Sequence, residues 1–309
     1  MKVDDILGTL GRTPLVRISK KLNPSAATVW AKLESFNPGG SAKDRVALAM
    51  LEAAEKEGRL APGGTVIEPT SGNTGVGLAL ACAVRGYRMI LVMPDSMSVE
   101  RIRLAKAYGA EVVLTPGAEG MSGSVARAED LARSIPGAIV AGQFVNPANA
   151  LAHERTTGPE IFEDLGGEVA AFVAGVGTGG TLTGVGRYLR SRGETAAVRL
   201  VAVEPDESPL LSKGVAGPHR LQGIGANFVP AVLDRSLIDE VFAVSAEDAG
   251  ATARALGSRE GILCGISSGA AMFAALRLAE RPEFAGKNVV VILPDTGERY
   301  LSTWLFDFK

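Results

Sequence analysis

From residue 65 onward, short β-branched or apolar segments alternate with longer amphipathic segments, and this alternation limits the possible fold more than any other feature of the chain. Such a pattern is typical of strands joined by crossover helices in a parallel sheet. We therefore expect an α/β fold of two domains, with mostly parallel twisted sheets, helices on both faces and an active site in the interdomain cleft. The predicted strands are 65–69, 88–93, 111–114, 138–141, 169–175, 198–204, 241–244 and 288–293, and the predicted helices lie near 74–85, 98–108, 121–134, 180–192, 246–257 and 268–280.

Length and charge narrow the class of protein. The chain has 309 residues, more than one hydrophobic core usually supports, which favours two domains. Its 32 basic and 34 acidic residues give a net charge of −2, so no basic excess is present to neutralise nucleic acid or to bind a membrane surface. The longest uncharged stretch, residues 169–186, contains six glycines and is a poor candidate for a membrane span. We expect neither a nucleic-acid partner nor a membrane partner.

The N-terminus and the rarest residue types support further expectations. Acidic residues follow Met1 where a signal peptide would have its apolar segment, so we predict a cytoplasmic location. Cys82 and Cys264 are far apart and neither belongs to a CxxC pair, while the only histidines are His153 and His219. These spacings argue against a disulfide framework and against a metal site, and they favour buried, inert thiols.

Glycine is unusually frequent, with 38 residues, and the most informative glycines lie where a predicted strand runs into a helix. Residues 176–181 have the sequence Val-Gly-Thr-Gly-Gly-Thr. Consecutive glycines let backbone N–H groups close around an anion, and Thr178 and Thr181 add hydroxyl donors. A strand-to-helix turn capped by one threonine is the simpler alternative, but it does not need three glycines. We predict a phosphate site here.

The same segment also matches a dinucleotide-binding pattern. Gly175, Gly177 and Gly180 form GxGxxG, and Glu204 lies near the position of a ribose-binding acid. A NAD-dependent oxidoreductase is therefore a rival interpretation. The motif alone is weak evidence, and with two histidines in the chain no catalytic group for hydride transfer is evident.

A lysine lies at the start of the next informative helix. The segment 37–45 runs Asn-Pro-Gly-Gly-Ser-Ala-Lys-Asp-Arg, which places Lys43 in the first turn, where the helix dipole disfavours a cation. A lysine in this position suggests an amine with a lowered pKa that acts as a nucleophile or forms a Schiff base. An exposed lysine offset by Asp44 is the alternative, and for a single lysine it is the commoner case.

A run of small and polar residues precedes a third helix. Residues 68–75 have the sequence Glu-Pro-Thr-Ser-Gly-Asn-Thr-Gly. Their hydroxyls, amide and backbone N–H groups form a suitable cradle for a substrate carboxylate. Ordinary helix capping accounts for one of Ser71, Asn73 and Thr74 but not for all three.

The fourth segment is 265–270, Gly-Ile-Ser-Ser-Gly-Ala, at the start of another helix. Either serine is suited to be a plain helix cap. The alternative is that one hydroxyl meets a heterocyclic nitrogen.

Together these segments resemble the cysteine synthases, or O-acetylserine sulfhydrylases, which are pyridoxal-phosphate enzymes of the tryptophan-synthase-β type fold. The similarity covers nearly the whole chain, and the matching segments occur in the family's order. These segments are 11–15, 37–45, 68–75, 116–121, 143–144 with 146–149, 156–160, 173–183, 222–226, 265–269 and 294–302.

The resemblance implies a role for each matching residue. Lys43 would be the catalytic residue and would hold pyridoxal 5'-phosphate as a Schiff base, and Asn73 would hydrogen-bond the ring hydroxyl of the cofactor. Ser267 would face the pyridine nitrogen. The cofactor phosphate would be bound by Gly177, Thr178, Gly179, Gly180 and Thr181, and the substrate carboxylate by Thr70, Ser71, Gly72, Thr74 and Gln143.

The resemblance also implies a reaction and partners. The expected reaction replaces the acetate of O-acetyl-L-serine with sulfide through an aminoacrylate intermediate, which gives L-cysteine. Cystathionine β-synthase and O-phosphoserine sulfhydrylase activities remain alternatives. Family knowledge further implies a homodimer, a possible serine acetyltransferase C-terminal tail as partner, and a smaller mobile domain over 37–146 that closes on a larger domain formed by 1–36 and 147–309.

Overall fold

The computed structural model describes residues 2–70, 72–95, 99–193 and 197–308, and for 99–101 it describes the backbone only. The chain forms two compact units. Unit 1 comprises Met1–Leu10 and Asn37–Asn149, and unit 2 comprises Gly11–Phe36 and Ala150–Lys309. We had assigned residues 1–36 to the larger domain, but Met1–Leu10 belong to unit 1. The physical reason is that Leu7 is buried in the core of unit 1.

The helices and strands alternate through most of the chain. The strands are β1 (Leu15–Arg17), β2 (Thr28–Leu33), β3 (Thr65–Pro69), β4 (Arg88–Pro94), β5 (Glu111–Thr115), β6 (Ile139–Val140), β7 (Ala171–Gly175), β8 (Arg199–Pro205), β9 (Glu240–Val244) and β10 (Asn288–Leu293). The α-helices are α1 (Lys43–Lys56), α2 (Asn73–Arg85), α3 (Val99–Ala107), α4 (Gly120–Ser134), α5 (Ala148–Arg155), α6 (Thr157–Asp164), α7 (Gly180–Arg190), α8 (Leu210–Lys213), α9 (Ala246–Ala255) and α10 (Ile266–Ala279).

Unit 1 contains a four-stranded parallel sheet in the order β5-β4-β3-β6. Neighbouring residues of one strand point to opposite faces of a sheet. Val66 of β3 and Leu91 of β4 accordingly belong to one core cluster, and Ile67 and Ile90 belong to another. Both faces are therefore covered, which explains why these strands are almost continuously apolar.

Unit 2 contains a six-stranded sheet in the order β1-β2-β10-β7-β8-β9. The pairs from β2 to β9 are parallel, and only β1 pairs in the antiparallel sense. Val289 and Val291 of β10 join the core cluster around α10, whereas Val290 joins the cluster around α7, so this sheet also has two covered faces. The predicted α/β class with mostly parallel sheets is confirmed.

The predicted elements agree with the observed ones to within about two residues at most ends, as expected for boundaries of this kind. The sequence analysis did not predict β1, β2, α5, α6 or α8, and α1 begins at Lys43, which the sequence analysis had placed in the first turn of a helix. None of the described helices is both long and apolar enough to cross a bilayer.

Candidate active site

Lys43 is the first residue of α1 and is half-buried. Its backbone N–H donates to Ser41 Oγ at 3.2 Å. The carboxylate of Asp44 is buried and accepts the backbone N–H groups of Gly39 at 2.8 Å and Ser41 at 3.4 Å. Asp44 therefore fixes the loop before α1. This geometry does not fit the alternative of a solvent-exposed lysine offset by its acidic neighbour.

The start of α1 lies close to α2 in unit 1 because of a glycine. A β-carbon at Gly77 would be 2.9 Å from the backbone oxygen of Lys43 and 3.1 Å from the β-carbon of Ala47. Only a residue without a side chain permits this approach. Gly77 thus sets the position of Lys43 relative to α2, the helix that begins with Asn73.

A Gly77→Ala substitution should disturb this approach. We expect the free energy of unfolding to fall by about 1–3 kcal/mol, the usual cost of overpacking, because the nearest atom belongs to backbone that cannot rotate away. Thermal unfolding of the variant would measure the loss. The matched control is Gly193→Ala, since a β-carbon there meets no atom of the described residues within 4 Å. Equal stability of the two variants would contradict the assigned role of Gly77.

The predicted carboxylate-binding residues lie at the start of α2 and just after β6. Thr70 Oγ1 accepts the backbone N–H of Gly72 at 3.2 Å, and Gly72 is the N-cap residue of α2. Thr74 is buried and donates its hydroxyl to Gln143 Oε1 at 2.5 Å. Unit 1 therefore brings together Thr70, Gly72, Thr74 and Gln143. Ser71 lies outside the described residues.

A buried carboxylate that the sequence analysis left without a role lies behind Gln143. Glu68 in β3 is 1 % exposed and accepts the backbone N–H groups of Gly142 at 2.7 Å and Gln143 at 3.3 Å. Burial raises the pKa of Glu68 to about 7, although hydrogen bonds from Gly142 and from the main chain and side chain of Gln143 act in the opposite direction. The available signal was an acidic residue inside a buried, otherwise apolar strand.

In unit 2, the loop between β7 and α7 contains the predicted phosphate site. A β-carbon at Gly177 would lie 2.5 Å from the carbonyl oxygen of Gly223, and Gly179 has a φ of +81°. Gly179 is the N-cap residue of α7, and no side-chain cap bond is described there. The threonine-capped turn that we had considered accounts for one N–H group among the described residues, because Thr178 Oγ1 accepts that of Gly180. The other N–H groups at the start of α7 fit an anion.

The threonines of this loop are held by neighbours within unit 2. Thr178 is buried, and its Oγ1 accepts the backbone N–H of Gly180 at 3.4 Å. Thr181 Oγ1 lies 3.1 Å from Nε2 of the buried His153, whose Nδ1 lies 2.9 Å from Thr157 Oγ1. The sequence analysis gave His153 no role, because its contact with Thr181 joins distant parts of the chain.

Ser267 is the second residue of α10 and is 3 % exposed. Gly265 is the N-cap residue of α10, and no side-chain cap bond is found there among the described residues, so Ser267 is not the plain helix cap that we had considered. A β-carbon at Gly223 would lie 3.3 Å from Ser267 Oγ. Gly223 therefore lies beside both the phosphate loop and Ser267, and it connects these two predicted cofactor contacts within unit 2.

Glu204, the acidic residue of the rival dinucleotide-binding interpretation, has a different role in the structure. The carboxylate of Glu204 is buried and accepts the backbone N–H groups of Leu211 at 2.6 Å and Ser212 at 3.1 Å, so its oxygens bind main chain instead of a ribose.

Cys82 and Cys264 are free and buried, and burial raises the pKa of each thiol to about 12. Within the described ranges, no three His, Cys, Asp or Glu residues are grouped as a metal site would require.

These residues define a class of enzyme. Unit 1 provides a lysine amine at a helix start and a group of hydroxyl, amide and backbone donors and acceptors, and unit 2 provides a glycine-rich helix start and a buried serine hydroxyl. An amine suits a carbonyl group, and a glycine-rich helix start suits a phosphate. Such groups are suited to a phosphorylated cofactor that has a carbonyl group.

Comparison with known proteins identifies the family. Residues 6–295 match the family model described as "Pyridoxal-phosphate dependent enzyme". A cysteine synthase of Staphylococcus aureus is 50% identical over 307 residues, which cover 99% of this chain and 98% of the relative. The chain belongs to the family of pyridoxal-phosphate-dependent enzymes, and its cofactor is pyridoxal phosphate. The resemblance found in the sequence is confirmed.

Solved structures agree with this assignment. A cysteine synthase (OASS) from Entamoeba histolytica is 44% identical, with a TM-score of 0.95, and the match covers 100% of this chain and 92% of that one. An O-ureido-L-serine synthase is 48% identical, also with a TM-score of 0.95, and the match covers 99% and 96% of the two chains.

Proposed function

We propose that this protein is a cysteine synthase that converts O-acetyl-L-serine and sulfide into L-cysteine and acetate. The observation that carries the proposal is the 50% identity to a cysteine synthase over 99% of the chain and 98% of the relative. The alternatives, a cystathionine β-synthase or an O-phosphoserine sulfhydrylase, have weaker support. In particular, the segment 222–227 contains no cation for a phosphate leaving group.

Lys43 is the catalytic residue in this proposal. When bound, the cofactor supplies an electron sink that stabilises negative charge at the substrate α-carbon. The Lys43 amine would hold the cofactor, would take the proton from the substrate α-carbon, and would return a proton to that carbon after sulfide has been added at the β-carbon. Loss of acetate from the β-carbon separates the two half-reactions, so we expect ping-pong kinetics.

The other site residues bind and orient. Residues 177–181 would hold the phosphate, and Asn73 would hydrogen-bond the ring hydroxyl. Ser267 would meet the pyridine nitrogen with a neutral hydroxyl. A neutral partner at this nitrogen favours elimination of a good leaving group over transamination. The substrate carboxylate would contact Thr70, Ser71, Gly72, Thr74 and Gln143.

The proposal is tested with purified holoenzyme and a matrix of substrates. O-acetylserine, O-phosphoserine and serine are each combined with sulfide or with homocysteine, and acetate, phosphate and the amino-acid product are quantified. We expect cysteine and acetate in equal amounts from O-acetylserine and sulfide, at a higher kcat/KM than any other pair. Preference for homocysteine or for O-phosphoserine would replace the proposal with the corresponding alternative.

The assembly and the location of the protein are also part of the proposal. We expect a homodimer in the cytoplasm, and a serine acetyltransferase C-terminal tail is the protein partner that the family suggests. Light scattering of the purified protein measures its mass. Titration with a synthetic tail peptide in the presence and absence of O-acetylserine tests whether peptide and substrate compete.

A further inference from the structure

Glu68 is a buried carboxylate for which the proposed reaction has no use. It lies in the central part of the unit 1 sheet, one residue before the end of β3, and is 1 % exposed. A buried charge is costly unless the protein supplies hydrogen bonds to it. The fold would be satisfied by an apolar residue here, as it is at Val66 and Ile67 of the same strand. The presence of a carboxylate at this buried position therefore requires an explanation.

Those contacts all converge on the turn after β6. Glu68 Oε2 accepts the N–H of Gly142 at 2.7 Å, Oε1 accepts the N–H of Gln143 at 3.3 Å, and the side-chain amide of Gln143 is a further donor. With its NH₂ group turned to Glu68, Gln143 presents Oε1 to the hydroxyl of Thr74 at 2.5 Å. Asn149 Nδ2 also donates to the carbonyl oxygen of Gln143, at 2.8 Å. Glu68 thus sets which way the Gln143 amide faces.

We propose that ionised Glu68 is a positioning residue that orients Gln143 and Thr74 for binding of the substrate carboxylate. The inference rests on the proposed function, in which both side chains contact that carboxylate. Three donors face the two oxygens of Glu68, an arrangement that only the acceptor-only, ionised form satisfies completely. A protonated Glu68 would direct a donor at one of these N–H groups and would release the turn.

Glu68 loses its proton near neutral pH. Burial raises its pKa to about 7, and the opposing influences are the hydrogen bonds from Gly142 and Gln143. Among the described residues of the elements around β3, which are α2, α4, β4 and β6, no charged side chain contributes to this shift. As the pH rises through about 7, Glu68 loses its proton, and the affinity for an amino-acid carboxylate should rise with the ionised fraction.

The test uses holoenzyme and L-alanine, an amino acid without a β-leaving group, with binding followed by the change in cofactor absorbance. Because the substrate amine also titrates, the measured quantity is the ratio of the Kd of Glu68→Gln to the Kd of the parent. This ratio should be near one at about pH 6 and should reach about tenfold at about pH 8, the order expected for lost charge-assisted hydrogen bonds. A flat ratio, or one that falls with pH because charge repulsion dominates, would overturn the proposal.

Glu204→Gln is the matched control. Glu204 is equally buried and accepts backbone N–H groups in the same way, but it lies in unit 2 and holds Leu211 and Ser212. Its ratio to the parent should stay constant with pH. If Glu68→Gln does not fold, the parent alone decides, because its affinity for L-alanine relative to ethylamine, which has no carboxylate, should rise over the same pH range. A constant relative affinity overturns the inference.

The outcomes for Glu68 and for the proposed function are separable. A protein that binds L-alanine with the expected pH step but forms no cysteine would retain the role of Glu68 and lose the proposed reaction. A protein that makes cysteine without any pH step in the two ratios would retain the reaction and lose the role of Glu68.

Discussion

Replacing Lys43 with alanine should abolish cysteine formation almost completely and should remove the covalent attachment of the cofactor. In the proposed mechanism the same amine holds the cofactor and transfers the α-proton. Loss of a general base alone lowers rates by about 10²–10⁴-fold, and loss of the attachment adds to this. The measurements are the rate of acetate release from O-acetylserine and the mass of the protein after borohydride reduction. The parent should carry the reduced cofactor on the peptide that contains Lys43.

Lys56 provides a control variant, and Lys32 is the buried lysine with which Lys43 is compared. Lys56 lies at the last turn of the same helix and is exposed, so Lys56→Ala should change stability by less than about 1 kcal/mol and leave the cofactor attached. Lys32 is fully buried, but its Nζ lies 2.9 Å from Glu160 and donates to the carbonyl oxygen of Thr13 at 2.7 Å. Recovery of the reduced cofactor on any lysine other than Lys43 would refute the assignment.

Strands β4 and β10 show most clearly why a strand can be predicted from sequence, because both are buried along nearly their whole length. Their apolar runs are nearly continuous, and no charged residue interrupts either run after Arg88, the first residue of β4. β2 escaped prediction because Lys32 interrupts its pattern. The sequence does not show that Glu160 lies within 2.9 Å to compensate the buried ammonium group. Tertiary ion pairing of this kind cannot be read from a local pattern.

The candidate site residues were likewise predictable where a local sequence pattern contains the whole signal. Glycine and hydroxyl residues at the starts of α2, α7 and α10 were visible because one local segment contains all that an anion-binding helix start needs. The N-cap residues of these helices are glycines without a side-chain cap, and the described side chains take only the Gly180 N–H of α7, which donates to Thr178 Oγ1. Local sequence was therefore sufficient to predict candidate ligand-binding segments.

The supporting residues could not be predicted in this way. Glu68 acts on Gln143, and His153 lies 3.1 Å from Thr181, so each partner is supplied by a different part of the chain. Neither residue belongs to a glycine-rich segment. Their significance depends on burial and on hydrogen-bond direction, and both become known only when the strands and helices are in place.

Changing both Thr178 and Thr181 to valine should weaken cofactor binding by about 10²–10⁴-fold. Each hydroxyl is expected to donate a hydrogen bond to the charged phosphate, and loss of one such bond costs about 1.5–3 kcal/mol. Valine keeps the branched shape, and loss of the contacts that the two hydroxyls make with Gly180 and His153 should cost about 1 kcal/mol each, so the fold should persist. Titration of apoenzyme with pyridoxal phosphate, followed by absorbance, gives the Kd directly and does not depend on turnover.

Thr183 on the same helix separates phosphate binding from general damage to α7. It is fully buried, and its Oγ1 accepts the backbone N–H of Asp234 at 3.0 Å, a contact to protein main chain instead of to a ligand. Thr183→Val should therefore lower the unfolding temperature while the Kd for pyridoxal phosphate changes by less than about tenfold, since one neutral hydrogen bond contributes about 1 kcal/mol. If the double variant binds the cofactor as tightly as Thr183→Val does, the hydroxyls of Thr178 and Thr181 do not bind the phosphate, and the backbone N–H groups of the glycine loop hold it alone.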